Sequence, residues 1–335
     1  MTRSVGIVGF RGYSGAELVR ILGGHTHVDP VLIEHRSDSA AEVLPRGAQR
    51  IKTIACNPDA VAAEKLAVVF LATPPEVSME LTPWLLRTGA KVIDLSGAFR
   101  LRTAENYKQW YKADHTEPEL LGEAAYGLPE FCRERIKGAR LVSNPGCYPT
   151  AANLAIKPLL HRGVIDRSAG IVCDAKSGVS GAGRKPSMKT SFCEVTENFS
   201  AYSLLTHRHV PEVLMNSGLQ AAEFSFVAQL IPIDRGILET IYFKGSGNVT
   251  GEAIVGIYED FYRDEPFVRV YDPGTVPDVR AVQQTNFCDI GVTYDPATKR
   301  GVVVSVIDNL VKGAAGQAVQ NMNLVLGYPE QEGLV

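Results

Sequence analysis

The run Asn144-Pro145-Gly146-Cys147-Tyr148-Pro149-Thr150 puts a cysteine between an apolar strand, Arg140 to Ser143, and a helix-forming stretch, Thr150 to Leu160. A thiol at a helix N-terminus meets the positive end of the helix dipole and amide N–H groups with no intrahelical partner. Both favour the thiolate, which is the nucleophile. The same amides could hold an oxyanion. Cys147 is therefore suited to attack an electrophilic acyl carbon. The other cysteines, at 56, 132, 173, 193 and 288, lack activating neighbours and read as buried, inert thiols.

A thiol nucleophile needs a general acid–base. Thr206-His207-Arg208-His209-Val210-Pro211-Glu212 gathers two histidines and a carboxylate. Read as extended chain, residues two apart point to opposite sides, so one of His207 and His209 is expected to face the thiol. Glu212 could orient or charge it. His25, His27, His115 and His161 lack such company and read as surface residues. Arg100, just past the Val92-to-Leu95 strand, offers a planar fork for a phosphate or carboxylate. The run Ser177-Gly178-Val179-Ser180-Gly181-Ala182-Gly183-Arg184-Lys185 is a polar, glycine-rich loop that could close over an anionic substrate. Arg235, next to Gly236, is a weaker candidate for the same task.

Gly9-Phe10-Arg11-Gly12-Tyr13-Ser14-Gly15 follows the first apolar run, Ser4 to Val8, and opens a helix, Gly15 to Leu22. This GxxGxxG pattern is a variant of the dinucleotide fingerprint, in which glycines admit a pyrophosphate to the helix N-terminus. The second strand, Val31 to Glu34, ends in Glu34-His35-Arg36-Ser37. An acid at that point suits the ribose hydroxyls of NAD, whereas Arg36 and Ser37 suit the 2′-phosphate of NADP, and the reading favours NADP.

These groups need a scaffold. The first third alternates doubly apolar strands (also Ala67 to Ala72 and Val92 to Leu95) with helical stretches such as Pro75 to Arg87. That pattern predicts a parallel α/β sheet with right-handed crossovers. Beyond Cys147 the chain is strand-rich: Gly170 to Ala175, Phe224 to Ile231, Gly236 to Phe243, Phe287 to Val292 and Gly301 to Ile307. A helix is expected over Glu252 to Tyr262, and the class is α+β. Lys312 to Leu326 reads as a last amphipathic helix, with Ala315, Ala318, Val319, Met322 and Val325 on its buried stripe. A chain of 335 residues predicts two domains. With 45% hydrophobic and 21% charged residues and a net charge of −3, no global field draws it to nucleic acid or an anionic membrane. The Val5-to-Phe10 run is too short to span a bilayer. No CxxC pair suggests zinc or a disulfide framework, so no metal and a cytoplasmic location are expected.

With these motifs in hand, the chain resembles the N-acetyl-γ-glutamyl-phosphate reductase family. That family lies in a wider group with aspartate-semialdehyde dehydrogenase and, in fold and cysteine chemistry, glyceraldehyde-3-phosphate dehydrogenase. The resemblance spans the chain: the Gly9–Gly15 loop continuing to Leu18, Asp94-Leu95-Ser96-Gly97-Ala98-Phe99-Arg100, the Asn144–Thr150 and Ser177–Arg184 segments, His207–Glu212, Arg235-Gly236-Ile237, and Asp308 to Ala318.

It implies a Rossmann-type doubly wound sheet over 1–146, completed by 312–335. Over 147–311 it implies an α+β, glyceraldehyde-3-phosphate-dehydrogenase-like catalytic and oligomerisation domain, in a homodimer or homotetramer. Cys147 would be the nucleophile and His209 the acid–base. NADP(H) would be held by Gly9, Arg11, Gly12, Tyr13, Ser14, Gly15, Arg36, Ser37, Ser96, Ser177, Gly178 and, near the nicotinamide, Asn309. The acyl phosphate would meet Arg100, Asn144, Ser180, Gly181, Arg184, His207, Glu212 and Arg235. The expected reaction passes through a thioester that accepts hydride and releases an aldehyde and inorganic phosphate. The alternatives are a reductase of amino-adipate phosphate or aspartyl phosphate, and a non-catalytic dinucleotide sensor that would keep the Gly9–Gly15 loop without needing Cys147 and His209.

Overall fold

A computed structural model describes residues 2–35 and 51–335. The chain forms two compact units. One comprises 1–102, 115–144 and 318–335, the other 103–114 and 145–317. The expected boundaries at 146 and 312 therefore shift. The chain leaves the first unit at 103, re-enters it at 115, and returns finally at 318, which a linear division cannot express.

The first unit holds a sheet of seven parallel strands among the described residues: β1 (Arg3–Val8), β2 (Val28–Glu34), β3 (Thr53–Ala55), β4 (Val68–Leu71), β5 (Lys91–Asp94), β6 (Ala125–Tyr126) and β7 (Leu141–Ser143). Their order is β3-β2-β1-β4-β5-β7-β6. Residues of β1 and β4 are buried on both faces, which explains their unbroken apolar sequence. The order reverses between β1 and β4, the switch point where open α/β sheets bind ligands beyond the strands' carboxyl ends. The Pro75–Arg87 helix has its expected bounds, with proline in its first turn, where the missing N–H costs nothing.

The second unit holds a mixed sheet: β8 (Ile171–Ser177), β9 (Ser200–Tyr202), β10 (Phe224–Leu230), β11 (Ile237–Lys244), β12 (Val268–Val270), β13 (Cys288–Asp295) and β14 (Arg300–Ile307). Their order is β12-β13-β14-β11-β8-β10-β9. Along β11, Ile237, Glu239, Ile241 and Phe243 are buried while the residues between them are more exposed. The helices Cys147–His161 and Gly251–Tyr262 pack on this sheet.

The helix that opens at Cys147 is buried along nearly its whole length. Pro158 removes the amide that would bond the carbonyl of Leu154. The Tyr262 hydroxyl takes that place at 2.5 Å, the Tyr258 hydroxyl donates to Ala155 O at 2.5 Å, and Ser305 Oγ donates to Ala151 O at 3.1 Å. The helix carrying the thiol is thus fixed by polar contacts as well as by apolar packing.

Several expectations are corrected. The helix begins at Cys147 itself rather than at Thr150. The expected final helix divides into a π-helical turn, Val311–Ala315, and a helix, Gly316–Leu326. The latter is buried on its polar as well as its apolar face. Its apolar stripe is buried as expected, but Gln317, Gln320, Asn321 and Asn323 are buried too. Polar side chains can lie inside when they are hydrogen-bonded: Asn321 donates to Gly127 O and Asn323 to the carbonyls of Glu330 and Glu332. His25 and His115 are buried rather than on the surface, paired with Asn323 and with the carbonyl of Ala98. Cys193 is exposed and Cys56 and Cys132 are half-buried, against the expectation of burial; Cys173 and Cys288 are buried. Among the described residues no helix is long and apolar enough to cross a membrane.

Candidate active site

In the first unit, Gly9 adopts φ +80°, and a side chain there would strike the carbonyl of Ala72. One at Gly15 would strike the carbonyl of Gly9 and lie 2.6 Å from the Phe10 Cα. These glycines let the turn close tightly at the switch point. Gly12 caps the helix Tyr13–Leu22 without any side-chain bond to its first-turn amides. Beside it lies a pocket of about 380 Å³, lined by Gly9 to Gly12, Ile33, His35, Ala72 to Pro74 and Val77. A glycine-backed helix N-terminus with an apolar slot at its side fits a dinucleotide's pyrophosphate and adenosine. Tyr13 and Ser14 start the helix. Arg11 donates to Glu34 at 2.8 Å, so the carboxylate at the end of β2 has a cationic partner. Arg36 and Ser37 lie outside the described residues.

The turn after β5 is tied to itself. Ser96 Oγ donates to Asp94 at 2.8 Å and accepts the Ala98 N–H. Burial pushes the Asp94 carboxyl up, against hydrogen bonds from Ser78 and Ser96 and the charge of Arg100. Arg100 is buried, with Nε on the carbonyl of Asn144 and Nη2 on that of Leu95, both at 2.8 Å. It clips together the chain leaving β5 and β7. The Asn144 side chain, also buried, accepts from Asn321 at 3.0 Å. In these contacts Arg100 and Asn144 hold the sheet's carboxyl edge.

In the second unit Cys147 is the first residue of its helix and is partly exposed. It lines a pocket of about 520 Å³ with Tyr148, Ser177, Gly181, Tyr202, His207 and His209, among others. The two histidines do not lie on opposite sides as expected. His209 has helical backbone angles and caps the helix Val210–Ser217, so the segment is not extended. The rings sit 4.8 Å apart, and both pack edge-on against Tyr148. The His209 N–H donates to His207 Nδ1 at 3.2 Å. Burial, with the neighbouring Arg208 charge, lowers the His207 pKa to about 4.

Glu212, fully buried, accepts the N–H of Gly146 at 2.8 Å. It was expected to orient a histidine or meet substrate; this contact ties it to the turn that presents Cys147. The Tyr148 and Tyr202 hydroxyls meet at 3.1 Å, and burial pushes both phenols up. By contrast, burial and Glu80 push the Cys56 thiol up to about 11, and burial and Glu239 raise that of Cys173, as inert thiols require.

The Ser177–Arg184 run bends back on the turn before β11. Gly178 N–H donates to Gly236 O at 2.9 Å and Ser180 N–H to Asp234 O at 3.0 Å. A Cβ at Gly178 would lie 2.6 Å from the Asp234 carbonyl, so only glycine allows this approach. Ser177 and Ser180 are buried, whereas Gly181 and Arg184 are exposed. Asn309, expected near the nicotinamide, accepts the Gly236 N–H at 2.7 Å and donates to Ser180 Oγ at 3.0 Å. Arg235 donates to Asp308 at 3.3 Å. The structure thus brings Cys147, His207, His209, Ser177 and Gly181 to one pocket, and ties Asn309, Arg235 and Ser180 together beside β11. Sequence reasoning missed Tyr202 and Asp308. Nothing in a lone tyrosine of an irregular stretch marks it, whereas Asp308 stood within a motif already singled out.

Two family descriptions match the chain: semialdehyde dehydrogenase, NAD binding domain, over residues 4–139, and semialdehyde dehydrogenase, dimerisation domain, over 147–309. The fold is similar to that of aspartate semialdehyde dehydrogenase II from Vibrio cholerae, with a TM-score of 0.74, 17% identity, and 98% and 99% of the two chains covered. The corresponding enzyme from Candida albicans, solved with NADP, gives a TM-score of 0.68 at 15% identity, covering 97% and 99%. Among curated proteins, the chain is 48% identical to the N-acetyl-γ-glutamyl-phosphate reductase of Symbiobacterium thermophilum, covering 100% of this chain and 98% of that protein. It is 47% identical to that of Desulforudis audaxviator, covering 99% and 97%. With identity at this level running through both units, the chain belongs to the N-acetyl-γ-glutamyl-phosphate reductase family.

Proposed function

We propose that this chain reduces N-acetyl-γ-glutamyl phosphate to the semialdehyde, releasing inorganic phosphate, with NADPH as reductant, as one step of arginine biosynthesis in the cytoplasm. The observation that carries the reading is the opening of Cys147, first residue of a helix, into one pocket with His207 and His209.

The Cys147 thiolate attacks the acyl carbon. The bond from that carbon to the phosphate oxygen breaks, phosphate leaves with the electron pair, and a thioester remains. First-turn amides of the Cys147 helix face the developing oxyanion. When bound, reduced nicotinamide supplies the hydride equivalent. His209 exchanges a proton with the oxygen of the resulting thiohemiacetal, and the carbon–sulfur bond then breaks to release aldehyde and thiolate. Gly9, Gly12, Tyr13, Ser14 and Gly15 would hold the dinucleotide. Arg11, by occupying Glu34, would leave Arg36 and Ser37 to take the 2′-phosphate. His207, Gly181, Arg184 and Arg235 would bind substrate, with Ser180 and Asn309 holding that loop. The active form is a homodimer or homotetramer.

The test is the reverse reaction. NADP reduction should require phosphate and should be fastest with N-acetylglutamate semialdehyde among a set that includes aspartate and amino-adipate semialdehydes. Preference for one of the others would reassign the substrate.

A further inference from the structure

The π-helical turn Val311–Ala315 follows β14 and packs against Cys147. Its wider loops are seen in the bonds from Gly313 N–H to Asp308 O, 2.9 Å, and from Ala315 N–H to Leu310 O, 2.8 Å, each spanning five residues. Such turns arise where a helix must carry one extra residue, and they recur at functional sites. Here Gly313 faces the nucleophile. A Cβ at position 313 would lie 2.7 Å from the Cys147 Cβ, 3.2 Å from its Cα and 3.3 Å from Asp308 O. Carbon atoms pack at roughly 3.5–4.0 Å. The turn can therefore rest against Cys147 only because residue 313 has no side chain.

The turn is itself anchored to the rest of the site. Asp308 accepts the Leu310 and Val311 N–H groups with one carboxylate oxygen. With the other it accepts the Gln284 N–H and the Arg235 guanidinium. Asn309 joins it to Gly236 and Ser180. The thiol's backbone, Arg235 and the Ser177–Gly181 loop thus meet one short segment.

We infer that Gly313 is a positioning residue for Cys147: the π-helical turn presses its bare Cα side against the cysteine and fixes where the sulfur points relative to Arg235 and the Ser177–Gly181 loop. This rests on the reading of Cys147 as nucleophile. A thiol displaced by up to about 1 Å still binds substrate but attacks poorly, a loss on the order of 100-fold.

The experiment compares Gly313→Ala with Gly301→Ala in the full-length protein. Gly301 opens β14, at the far end of that strand from the turn, and a Cβ there would collide with the Phe243 ring rather than with Cys147 or the turn. Three quantities are read: kcat and KM for the acyl phosphate, melting temperature, and the pH profile of iodoacetamide alkylation of the Cys147 peptide by mass spectrometry. Gly313→Ala should lower kcat by about 10- to 100-fold with KM within about twofold, and should move the alkylation profile. Gly301→Ala should lower the melting temperature and leave that profile in place. Should Gly313→Ala not fold, Val311→Ala loosens the turn by removing atoms, and it too should move the profile. Wild-type profiles in every variant that folds, or losses of kcat that merely follow melting temperature in both glycine variants, overturn the inference. Full turnover by Cys147→Ser would instead overturn the nucleophile reading, whatever the glycine variants do.

Discussion

The backbone N–H of His209 donates to Nδ1 of His207 at 3.2 Å. The bond requires Nδ1 of His207 to be an acceptor, so in the neutral ring the proton sits on Nε2. His207 is then a neutral hydrogen-bond donor, and protonating it would set two N–H groups against each other. Proton exchange falls to His209. His209→Asn should lower kcat by about 10²- to 10⁴-fold, the usual worth of a general acid–base, whereas His207→Asn should act mainly on KM. Steady-state kinetics on the two variants decide it, and the reverse pattern would exchange the roles.

The same burial gives His207 a stability signature. Its pKa falls from 6.5 to about 4, so between those values the unfolded chain binds a proton that the folded chain refuses. The stability held by neutral His207 is complete above about pH 6.5 and is lost as pH falls toward 4. The limiting amount is on the order of 3 kcal/mol. His207→Gln should remove this dependence. Urea denaturation at pH 7.5 and 5 should show the wild type losing more stability than the variant; equal losses would mean that the ring titrates normally in the fold.

Arg100 is spanned between the carbonyls of Leu95 and Asn144. A lysine cannot reach both with the geometry of a planar fork. Arg100→Lys should therefore cost about 1.5–3 kcal/mol, the range for a hydrogen bond to a charged group, and lower the melting temperature. The phosphate KM of the reverse reaction should hold. A raised phosphate KM at an unchanged melting temperature would return Arg100 to the substrate site.

Where one physical rule dominated, the sequence was readable. Glycines at 9, 12 and 15 between an apolar strand and a helix marked the dinucleotide turn, and a cysteine just past an apolar strand marked the thiol. The His207–His209 geometry departs from the alternation of an extended segment because the chain turns helical there. Pro211 and Glu212 are helix-start signals, and they place His209 at a cap, not in a strand. The turn at Val311 was invisible because hydrophobic periodicity does not distinguish five-residue from four-residue bonding. The burial of Gln320, Asn321 and Asn323 is not legible either, since sequence does not announce the carbonyls and carboxylate that receive them. The excursion at 103–114 depends on tertiary packing that no local pattern carries.

The central claim is covalent catalysis at Cys147, and the most direct measurement is intact-protein and peptide mass spectrometry after mixing the enzyme with N-acetyl-γ-glutamyl phosphate in the absence of reductant. The account predicts an N-acetylglutamyl adduct on the Cys147 peptide. A burst of about one equivalent of phosphate per chain should accompany it, and Cys147→Ser should show neither. Steady turnover with NADPH, but with no adduct and no burst without it, would contradict the account.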